Sequence, residues 1–554
     1  MKYSSKKLSQ LITQLCISRG IENIIISPGS RNAPLTIGFS ENKKFSCFSI
    51  VDERCAAFFA LGIAQQLNKP TVLVCSSGSA LLNYYPAVSE AFYSDIPLVV
   101  ISADRPSSLI DIGDGQTIRQ ENVFENHILE SCNCIEGDDC INFNQILVSS
   151  ALNTAIEKSG PVHINVPFSE PLYDTCDLLS IEINDDIQAK KDSTLINDVS
   201  FFAKKWNTSK KKLILIGVHY FNRLEGAFLE ILAKDESVLI LTETTSNLHH
   251  KNIINSIDQL ITPFDDIDTE KFQPDILLTF GGMVISKKIK ALLRKNKPQE
   301  HWHIDTKKAL DTYFCLTHHF KTTPTLFFKQ FLPLTIKLNS TYQSFFIDKR
   351  NDRRKKHAVY MDQIDFSDLY VFSKLINSLP SNINLQLSNS STIRYAQLFN
   401  FKENIAVFCN RGTSGIDGST STAIGAAVAT EKETVFISGD LSFLYDSNAL
   451  WNNYIPLNFK IIIINNGGGG IFRILPGEKN TPNFDTFIET KHNLSAEYLS
   501  KMFNIKYFVA TTKRELENAL PLFYGKQKQP HLLEVFTPAS LNDQVLLDYF
   551  EYLK

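Results

Sequence analysis

Short apolar runs rich in β-branched residues alternate along the chain with stretches whose apolar positions recur every three to four residues. In the first 180 residues this pattern predicts strands over 23–27, 71–75 and 98–102 and helices over 53–67 and 80–93. Alternating strands and helices are typical of a parallel sheet covered by helices on both faces. We therefore expect the first region to be an α/β domain.

Two further regions repeat the alternation. The middle region has predicted strands over 213–216, 238–242, 276–280 and 301–304, and the third has predicted strands over 384–388, 405–409, 434–438 and 460–464, with helices from Ser391 and Thr420. The polar stretch 184–193 and the charged run 348–356 separate the regions, and both are interpreted as linkers. The pattern predicts three consecutive α/β domains with parallel sheets, over residues 1–183, 195–340 and 360–554.

Composition narrows the class of protein. The 56 Lys and Arg residues nearly balance the 59 Asp and Glu residues, so a nucleic-acid or anionic-membrane partner is not indicated. The ten cysteines form no regular framework, which favours reduced thiols in a cytoplasmic protein. Leu8, Leu11, Ile12 and Leu15 share one face of a first helix that lacks the continuous apolar core of a signal peptide. No apolar run approaches the ~18 residues needed to span a bilayer, so we expect no membrane segment.

The third region carries polar residues at the predicted ends of two strands. One strand ends in Ser438-Gly439-Asp440-Leu441-Ser442, and a later one ends in Asn465-Asn466 followed by Gly467 to Gly470. The Asp440 carboxylate, the Asn466 carboxamide and a backbone carbonyl of the glycine run are oxygen donors that suit a hard cation such as Mg²⁺. The pattern therefore predicts a metal site.

The glycine run also lets backbone amides approach phosphate oxygens, so the same site suits a diphosphate held through magnesium. Taken alone, four glycines are more simply a flexible turn, but their combination with Gly-Asp and Asn-Asn at matching strand ends favours diphosphate binding. This arrangement resembles the signature of thiamine diphosphate enzymes, which consist of three α/β domains. One departure is Leu441, which stands where the signature usually has its second glycine.

A thiamine diphosphate enzyme needs a carboxylate that hydrogen-bonds the aminopyrimidine ring and favours the tautomer that deprotonates the thiazolium carbon. Glu53 opens an apolar helix just after a predicted strand of the first region, in Asp52-Glu53-Arg54. A lone Glu at this position is more simply explained by the helix dipole. Its place in the first domain, ahead of the metal motif in the third, makes Glu53 the candidate catalytic residue.

Further motifs resemble one family, the 2-succinyl-5-enolpyruvyl-6-hydroxy-3-cyclohexene-1-carboxylate synthases of menaquinone biosynthesis. The resemblance runs from residue 20 to beyond residue 475 and is weakest in the middle region. Its most discriminating piece is Asn410-Arg411-Gly412-Thr413-Ser414-Gly415-Ile416-Asp417-Gly418. The other motifs are Ser27-Pro28-Gly29-Ser30-Arg31, Ser77-Gly78-Ser79-Ala80, Ala103-Asp104-Arg105-Pro106, Gln116-Thr117-Ile118-Arg119-Gln120 and Val162-His163-Ile164-Asn165 with Pro167-Phe168.

The resemblance implies a transferase that decarboxylates 2-oxoglutarate and adds the succinyl carbanion equivalent in conjugate fashion to isochorismate, with thiamine diphosphate and Mg²⁺ or Mn²⁺ as cofactors. The cofactor-binding residues that it implies are Glu53, Ser77, Gly78, Ile416, Asp440, Leu441, Ser442, Asn466, Gly468, Gly469, Ile471 and Phe472, of which Asp440, Asn466 and Gly468 would hold the metal. The implied substrate-binding residues are Ser30, Arg31, Arg105, Gln116, Lys287, Lys288, Ser390, Arg394, Arg411, Phe472 and Leu475.

Four arginines support anionic substrates independently of the family resemblance. Arg31, Arg105, Arg394 and Arg411 follow predicted strands, and the planar guanidinium suits the carboxylates of two dianionic substrates. Each one taken singly is more simply a surface or interdomain ion pair. Ordinary core packing would explain Ile416, Phe472 and Leu475, and a solvated helix face would explain Lys287 and Lys288, whereas His163 is interpreted as structural.

In this family the cofactor lies between the first domain of one subunit and the third domain of another, which implies a homodimer or homotetramer. An acetolactate synthase-like carboligase is the nearest alternative, although it would need fewer arginines. A relative that binds the cofactor without catalysis is the second alternative. A dinucleotide oxidoreductase is disfavoured because no G-x-G-x-x-G motif follows a first strand.

Overall fold

The computed structural model of the chain describes residues 2–183, 198–219, 226–474, 477, 479, 481–526 and 528–554. These residues form three six-stranded sheets in which every strand pairing is parallel, and helices connect most successive strands. The predicted α/β class is confirmed. The predicted linker 184–193 and Leu475 lie outside the described residues, and the predicted domain boundaries stay predictions. None of the helices in the described ranges is long and apolar enough to cross a membrane.

The first sheet has the order β3-β2-β4-β5-β7-β6. Its strands are β2 (Asn23–Ile26), β3 (Ser46–Ser49), β4 (Thr71–Cys75), β5 (Leu98–Asp104), β6 (Glu130–Asn133) and β7 (Val162–Pro167), and β1 (Tyr3–Ser4) pairs antiparallel with β8 (Thr175–Cys176). Its helices are α1 (Lys7–Ser18), α2 (Ala33–Ser40), α3 (Glu53–Leu67), α4 (Ser79–Asn83), α5 (Tyr85–Ser94) and α6 (Ile141–Lys158). The helix predicted over 80–93 is thus two helices, because Pro86 starts a new first turn in α5.

The middle sheet has the order β11-β10-β9-β12-β13-β14. Its strands are β9 (Lys212–Ile216), β10 (Val238–Thr242), β11 (Ile253–Ile254), β12 (Ile276–Phe280), β13 (Glu300–Ile304) and β14 (His318–Phe320). The helices of this region are α7 (Val199–Thr208), α8 (Gly226–Ala233), α9 (Ile257–Ile261), α10 (Asp266–Phe272), α11 (Lys287–Lys295) and α12 (Pro324–Phe331).

The third sheet has the order β16-β15-β17-β18-β20-β19. Its strands are β15 (Asn384–Leu387), β16 (Ala406–Cys409), β17 (Thr434–Gly439), β18 (Phe459–Asn465), β19 (Lys506–Ala510) and β20 (His531–Phe536). Its helices are α14 (Asp368–Ser378), α15 (Ser391–Ala396), α16 (Ser419–Val428), α17 (Asp440–Tyr445), α18 (Glu497–Met502), α19 (Lys513–Phe523) and α20 (Asn542–Tyr552). The glycine loop continues into a short 3-10 helix (Gly470–Ile474), and a π-helix (Phe484–Glu489) follows.

The charged run 348–356 is helical, and its interpretation as a solvated linker is wrong. It belongs to the 22-residue helix α13 (Tyr342–Gln363). Arg350 and Arg353 in this run are buried, and Arg350 Nη1 donates to the backbone carbonyls of Lys251 and Ile253. A charged side chain can be buried when carbonyl acceptors meet it, a condition that composition does not reveal.

The first and third domains share one packed interface, where α3 crosses α16. A Cβ atom on Gly62 of α3 would lie 2.1 Å from the Thr422 carbonyl oxygen, and one on Gly425 of α16 would lie 2.0 Å from the Phe59 carbonyl oxygen. Only glycine permits the two backbones to approach this closely. The buried core around this crossing contains residues of both domains, so the two form one packed unit.

Candidate active site

The centre of the site is the carboxyl edge of the third sheet, where Asp440 follows β17 and is 4% exposed. Asp440 Oδ2 accepts from the backbone amides of Gly467 and Gly468, each at 2.9 Å, and Oδ1 accepts from Leu441 N at 2.7 Å. β17 and β18 are neighbours in the sheet, which brings the two predicted motifs together. The carboxylate therefore fixes the start of the glycine loop.

Asn466 supplies an oxygen that no other group satisfies. Its Nδ2 donates to Asp368 Oδ2 at 2.9 Å, while its Oδ1 is buried and has no hydrogen-bond partner. Buried polar atoms are nearly always paired, so an orphaned carboxamide oxygen beside a carboxylate is a ready ligand for a cation. Sequence reasoning missed Asp368, which precedes Asn466 by 98 residues.

The glycine loop is shaped by close packing and unusual backbone. Gly467 has φ 77° and Gly468 has φ 149°, and a Cβ on Gly468 would lie 2.8 Å from the Glu489 carbonyl oxygen. Gly469 N donates to that same carbonyl at 2.6 Å. The Gly468 carbonyl accepts from Gly470 N at 3.1 Å, which leaves it a second lone pair. At Gly467 and Gly468 the loop needs glycine for its conformation, so it is more than a flexible turn.

His492 lies beside the same carboxylate and was missed from sequence. Its Nδ1 accepts from Leu494 N at 3.1 Å, and its Nε2 lies 3.2 Å from Asp440 Oδ2. The neighbouring Asp440 carboxylate raises the pKa of His492. The imidazole lies beside the oxygen that accepts from the two glycine amides, but its Nε2 makes no hydrogen bond to the described residues.

The donor set fits a hard divalent cation. Among the described residues no group of three His, Cys, Asp or Glu side chains could hold a metal ion, so a cation must rely on mixed oxygen donors. Asp440, the free Oδ1 of Asn466 and the Gly468 carbonyl are such donors, and they lie at one strand edge beside the glycine loop. The residues present therefore fit magnesium or manganese with a diphosphate.

Apolar surface borders this edge. Ser442 Oγ donates to the Ile416 carbonyl at 2.7 Å, which ties α17 to the loop after β16. Ile416 is 38% exposed and Phe472 is 39% exposed, values that leave both side chains available to a ligand. Leu441 and Ile471 are half-buried.

Glu53 begins α3 in the first domain, where Asp52 caps the helix by accepting from Cys55 N. Within the described chain Glu53 has no hydrogen bond and no ion pair. Burial and, to a lesser extent, the charge of Glu53 raise the pKa of the Cys75 thiol, which places the carboxylate beside the end of β4. A half-buried carboxylate without a partner is suited to receive one from a ligand.

Candidate substrate residues of the first domain converge on Arg105. Arg105 Nη1 donates to Ser77 Oγ at 2.6 Å and to the Gln116 carbonyl at 3.2 Å, and Ser77 Oγ donates to the same carbonyl at 3.0 Å. Gln116 has φ 61°, a left-handed conformation that costs energy in a non-glycine residue. Gly78 N donates to Gln120 Oε1 at 2.9 Å, which fixes the neighbouring turn.

A buried polar network supports that cluster. Asn165 Nδ2 donates to Asp104 Oδ2 at 2.9 Å, while Asn165 Oδ1 accepts from Gln120 Nε2 and from Ser102 Oγ, each at 2.8 Å. Ser102 Oγ also lies 2.7 Å from His163 Nε2. These contacts account for His163 as a structural residue, and burial lowers its pKa to about 3.

Arg31 is held at the same edge of the first sheet. Its Nη1 donates to the Phe168 carbonyl at 2.8 Å, its Nη2 lies 3.2 Å from Glu170 Oε1, and its buried Nε has no partner. Ser30 Oγ lies 2.9 Å from the Tyr173 hydroxyl.

The third domain holds a second pair of arginines. Arg411 Nη1 donates to Asn389 Oδ1 at 2.6 Å, and Asn389 Nδ2 donates to the carbonyls of Asn410 and Gly415, each at 2.7 Å. One buried amide therefore shapes the whole loop after β16. Arg394 makes no hydrogen bond within the described chain, and burial, then the nearby Arg411, lower its pKa. Two half-buried guanidiniums close to each other favour an anionic ligand.

Ser390 precedes α15 with φ 65°, a second strained residue among the candidate substrate positions. It follows Asn389 directly, at the end of β15.

The middle domain contributes a carboxylate that sequence reasoning missed. Glu243 is 2% exposed and accepts from the backbone amides of Ile285 at 2.6 Å and Ser286 at 2.7 Å, which fixes the start of α11. Burial raises its pKa to about 7. Lys287 and Lys288 are exposed at this helix start, and Lys288 Nζ donates to Thr262 Oγ1 at 2.7 Å.

A third lysine of α11, Lys290, shares a cavity lining with Arg411. Burial lowers the pKa of Lys290. The charge of Glu243 raises this pKa, whereas the charges of Arg411 and Arg394 lower it further. Lys290 and Arg411 line a cavity of about 630 Å³ at the carboxyl ends of the middle strands. Hydrophobic spacing had suggested no role for Lys290, because α11 is an amphipathic surface helix by pattern.

Glu90 of α5 links the first domain to the loop after β16. Its Oε1 accepts from Gly412 N at 2.7 Å, and its Oε2 accepts from Thr413 N at 2.7 Å and Thr413 Oγ1 at 2.9 Å. Glu90 is 1% exposed and precedes these partners by more than 320 residues. A sequence signal for this contact would have been a Glu on the buried face of a helix, which requires a partner.

The structure brings the candidate residues together in two groups rather than one. Asp440, Asn466, Ile416 and the third-domain arginines form one group, and the Ser77 and Arg105 cluster forms the other. Within one chain the start of α3 contacts the far end of α17, where Asp52 Oδ2 accepts from Asn448 Nδ2 and Arg54 Nη2 donates to the Tyr445 carbonyl. Asp440 lies at the opposite end of α17, and no hydrogen bond joins it to Glu53.

Three known domain families match the chain. Residues 6–128 match the family described as "Thiamine pyrophosphate enzyme, N-terminal TPP binding domain". Residues 194–387 match "Middle domain of thiamine pyrophosphate", and residues 390–535 match "Thiamine pyrophosphate enzyme, C-terminal TPP binding domain". Glu53 falls in the first match, and Asp440 and Asn466 fall in the last.

Full-length relatives carry one name, 2-succinyl-5-enolpyruvyl-6-hydroxy-3-cyclohexene-1-carboxylate synthase. The relative from Flavobacterium johnsoniae is 58% identical over 556 residues, and that from Flavobacterium psychrophilum is 56% identical over 553 residues, with 100% of both chains covered in each case. The relative from Porphyromonas gingivalis is 36% identical over 570 residues, which cover 100% of this chain and 98% of the relative. The similarity extends over all three domains.

Proposed function

Because the chain belongs to the family of 2-succinyl-5-enolpyruvyl-6-hydroxy-3-cyclohexene-1-carboxylate synthases, a thiamine diphosphate-dependent transferase family, we propose the reaction that it catalyses. The substrates are 2-oxoglutarate, which loses carbon dioxide, and isochorismate, which receives the succinyl carbanion equivalent by conjugate addition. The reaction belongs to menaquinone biosynthesis and takes place in the cytoplasm.

One observation carries the cofactor part of the proposal. Asp440 and the partnerless Oδ1 of Asn466 lie at adjacent strand ends, next to a loop whose glycines are required by its conformation. These residues, with the Gly468 carbonyl, would hold Mg²⁺ or Mn²⁺ and through it the diphosphate. When bound, thiamine diphosphate supplies the carbanion chemistry, and the protein supplies position and charge.

The chain's own residues have distinct roles in this proposal. Glu53 accepts a hydrogen bond from the aminopyrimidine ring, and Ile416 supports the cofactor from the apolar side. Ser442 holds Ile416 in place through the carbonyl contact already described. The half-buried Ile471 and the exposed Phe472 provide apolar surface that would exclude water from the reacting carbon.

Substrate recognition follows from the charges. Both substrates are dianions, and Arg105, Arg394 and Arg411 are held at strand ends by Ser77, by burial and by Asn389. Arg31 and the hydroxyls of Ser30 and Ser390 complete the polar lining, together with Gln116. Lys290 adds positive charge beside Arg411, whereas Lys288 is engaged by Thr262. An acetolactate synthase-like enzyme, with a small donor substrate, would not need this set.

We propose that the active site is completed by a second subunit. The family resemblance implies a cofactor held between the first domain of one subunit and the third domain of another, and within the described residues of one chain no hydrogen bond joins Glu53 to Asp440. Both points support at least a homodimer. The proposal can be tested by mixing Glu53→Gln subunits with Asp440→Asn subunits. Each variant is expected to be inactive alone. Random pairing yields heterodimers with one intact site, so about a quarter of wild-type activity is expected. A mixture that remains inactive, although subunit exchange is demonstrated, would place each site within one chain.

The reaction itself is tested with purified protein, thiamine diphosphate, Mg²⁺ and 2-oxoglutarate, with and without isochorismate, followed by mass spectrometry for the succinyl adduct. The expected result is an adduct that requires every component, with no product when pyruvate replaces 2-oxoglutarate. Product formed from pyruvate would favour the acetolactate synthase-like alternative. Cofactor retention without turnover of either acid would favour a non-catalytic relative.

A further inference from the structure

The side-chain amide of Asn466 has two chemically different ends of almost the same shape. Only the oxygen end can bind a cation, whereas the nitrogen end carries two donors that would repel it. Rotation by half a turn about the last side-chain bond exchanges the two ends without changing the packing. A neighbouring group must therefore decide which end of the Asn466 amide is left free for a cation.

Asp368 is placed to make that decision. It is 3% exposed at the start of α14, and its Oδ2 accepts from Asn466 Nδ2 at 2.9 Å. Its Oδ1 accepts from Thr537 Oγ1 at 2.6 Å, and its backbone amide donates to Asn542 Oδ1 at 2.8 Å. Thr537, after β20, thus holds the carboxylate, and Asn542 of α20 holds the backbone of the same residue, which restrains Asp368 from following the amide if it turns.

We propose that Asp368 is a positioning residue for the metal site, which sets the orientation of the Asn466 amide so that Oδ1 is presented to the cation. The inference rests on the metal site of the proposed function. An ionised carboxylate is an acceptor only, so it holds the nitrogen end and rejects the oxygen end. If the Asn466 amide were reversed, its oxygen would lie against the Asp368 carboxylate. Its NH₂ group would then face the cation.

The negative charge of Asp368 has a second effect on the Asn466 amide. A hydrogen bond from Nδ2 to a carboxylate polarises the amide and increases the electron density on Oδ1, in the way that outer partners strengthen metal-bound histidines. The orphaned state of Oδ1 in the structure agrees with this arrangement, because the nitrogen end is satisfied and the oxygen end is left for a ligand.

The test is calorimetric titration of Mg²⁺ into protein that holds saturating thiamine diphosphate, with cofactor-free melting temperature as the check on folding. Asp368→Ala is expected to weaken Mg²⁺ binding by about 10- to 100-fold, as removal of such outer partners usually does. Because this variant could simply unfold, the deciding variant is the exchange Asp368→Asn/Asn466→Asp. In the exchange the amide at 368 donates to the carboxylate at 466, whose two oxygens are equivalent.

Asn466→Asp alone places two carboxylates in contact, and we expect it to bind Mg²⁺ at pH 8 at least about 10-fold more weakly than the exchange variant. Thr537→Val removes the other hydrogen bond to the carboxylate but keeps its charge and its bond to Asn466, and we expect it to weaken Mg²⁺ binding less than Asp368→Ala does. A purely structural Asp368 predicts additive losses in the exchange, and an exchange variant no better than Asn466→Asp would overturn the inference. Wild-type protein that binds neither Mg²⁺ nor cofactor would instead overturn the proposed metal site and this inference with it.

Discussion

The first and third domains have the same sheet topology, and the difference between them lies in the loops at the strand ends. In both domains the strands follow the order second, first, third, fourth, sixth, fifth, and α3 and α16 occupy the same place in that order before they pack on each other. The middle domain follows another order, with its first three strands reversed. Because the first and third sheets have the same strand order and differ in their loops, the residues that carry the chemistry lie in the loops.

The two edges differ in what their third strands present. After β4 the first domain has Ser77 and Gly78, which engage Gln116 and Gln120, and after β17 the third domain has Asp440, which engages the glycine loop. The first domain offers an unpaired carboxylate at the start of α3, whereas α16 starts with Gly418 in a left-handed conformation. One edge is therefore suited to a ring that needs a proton acceptor, and the other to a metal and a diphosphate.

The largest expected effects come from neutralising one carboxylate at each of the two edges. Glu53→Gln should slow turnover by about 10²- to 10⁴-fold and leave Mg²⁺-dependent cofactor affinity within a few-fold of wild type. Asp440→Asn should abolish measurable cofactor binding, because the carboxylate holds both the cation site and the glycine amides. Calorimetry for binding and product assay for turnover separate the two. Normal turnover of Glu53→Gln would remove Glu53 from the catalytic role.

The second expected effect concerns the crossing that joins the two domains. Gly62→Ala and Gly425→Ala should each destabilise the protein by about 1–3 kcal/mol or more, because the new methyl group meets a backbone carbonyl that cannot retreat. The matched control is Gly226→Ala in α8, where no atom of the described residues lies within 4 Å of the new Cβ and the backbone is not left-handed. Cofactor-free thermal melts measure the difference. Equal melting temperatures for all three variants would contradict the close crossing.

A third effect should separate the arginines of the two edges from those of the surface. Arg411→Lys removes the planar fork that binds Asn389 and should raise KM for one of the two substrates by about 10-fold, with a smaller change in kcat. Arg105→Lys should act in the same way on the first domain's edge. Arg514→Lys, on the exposed face of α19, is the control and should leave both constants unchanged. A KM for Arg411→Lys equal to that of the control would remove this residue from the substrate site.

The smallest expected effect is on the pH dependence of stability, with opposite signs in the two domains. Burial lowers the pKa of His163 in the first domain from 6.5 to about 3, so the unfolded chain binds the proton first and stability falls as pH decreases below 6.5. Burial raises the pKa of Asp446 in the third domain from 3.8 to about 6, so the folded chain holds the proton longer and stability falls as pH rises from 3.8 to 6.

Melting temperatures between pH 4 and 8 measure these two contributions. His163→Gln should reduce the loss on the acid side, and Asp446→Asn should reduce the loss between pH 4 and 6, each compared by slope with wild type. Parallel slopes for wild type and both variants would show that neither group titrates as its burial requires.

The strands and helices that were predicted from the period agree with the structure to within one or two residues, apart from the helix over 80–93, which is two helices. The helix Glu53–Leu67 and the strands Thr71–Cys75, Val238–Thr242 and Ile276–Phe280 coincide with the prediction. These segments are buried on faces that match their period, so local pattern and tertiary environment agree. The run 348–356 was misread because its charges obscure a helix that is held by distant carbonyl acceptors.

The residues of the candidate site likewise include some that the sequence predicts and some that it does not. Asp440 and Asn466 could be identified because their residue types follow strands directly. Glu90, Asp368 and Asn389 could not, because each acts through a contact with a segment far away in sequence or through a backbone carbonyl, and such a role leaves no local pattern. A buried polar side chain on an otherwise apolar face is the nearest available signal.

By itself, the amino-acid sequence determined the α/β class, the succession of strands and helices, and which polar residues stand at strand ends, since all of these depend on spacing within a few residues. Only the tertiary structure decided which strand ends are neighbours, that α3 crosses α16 at two glycines, that Asp368 faces Asn466, and that Glu53 and Asp440 of one chain lie at opposite ends of α17. These depend on how segments separated by many tens to hundreds of residues pack together, and periodicity within one segment carries no information about its distant partner.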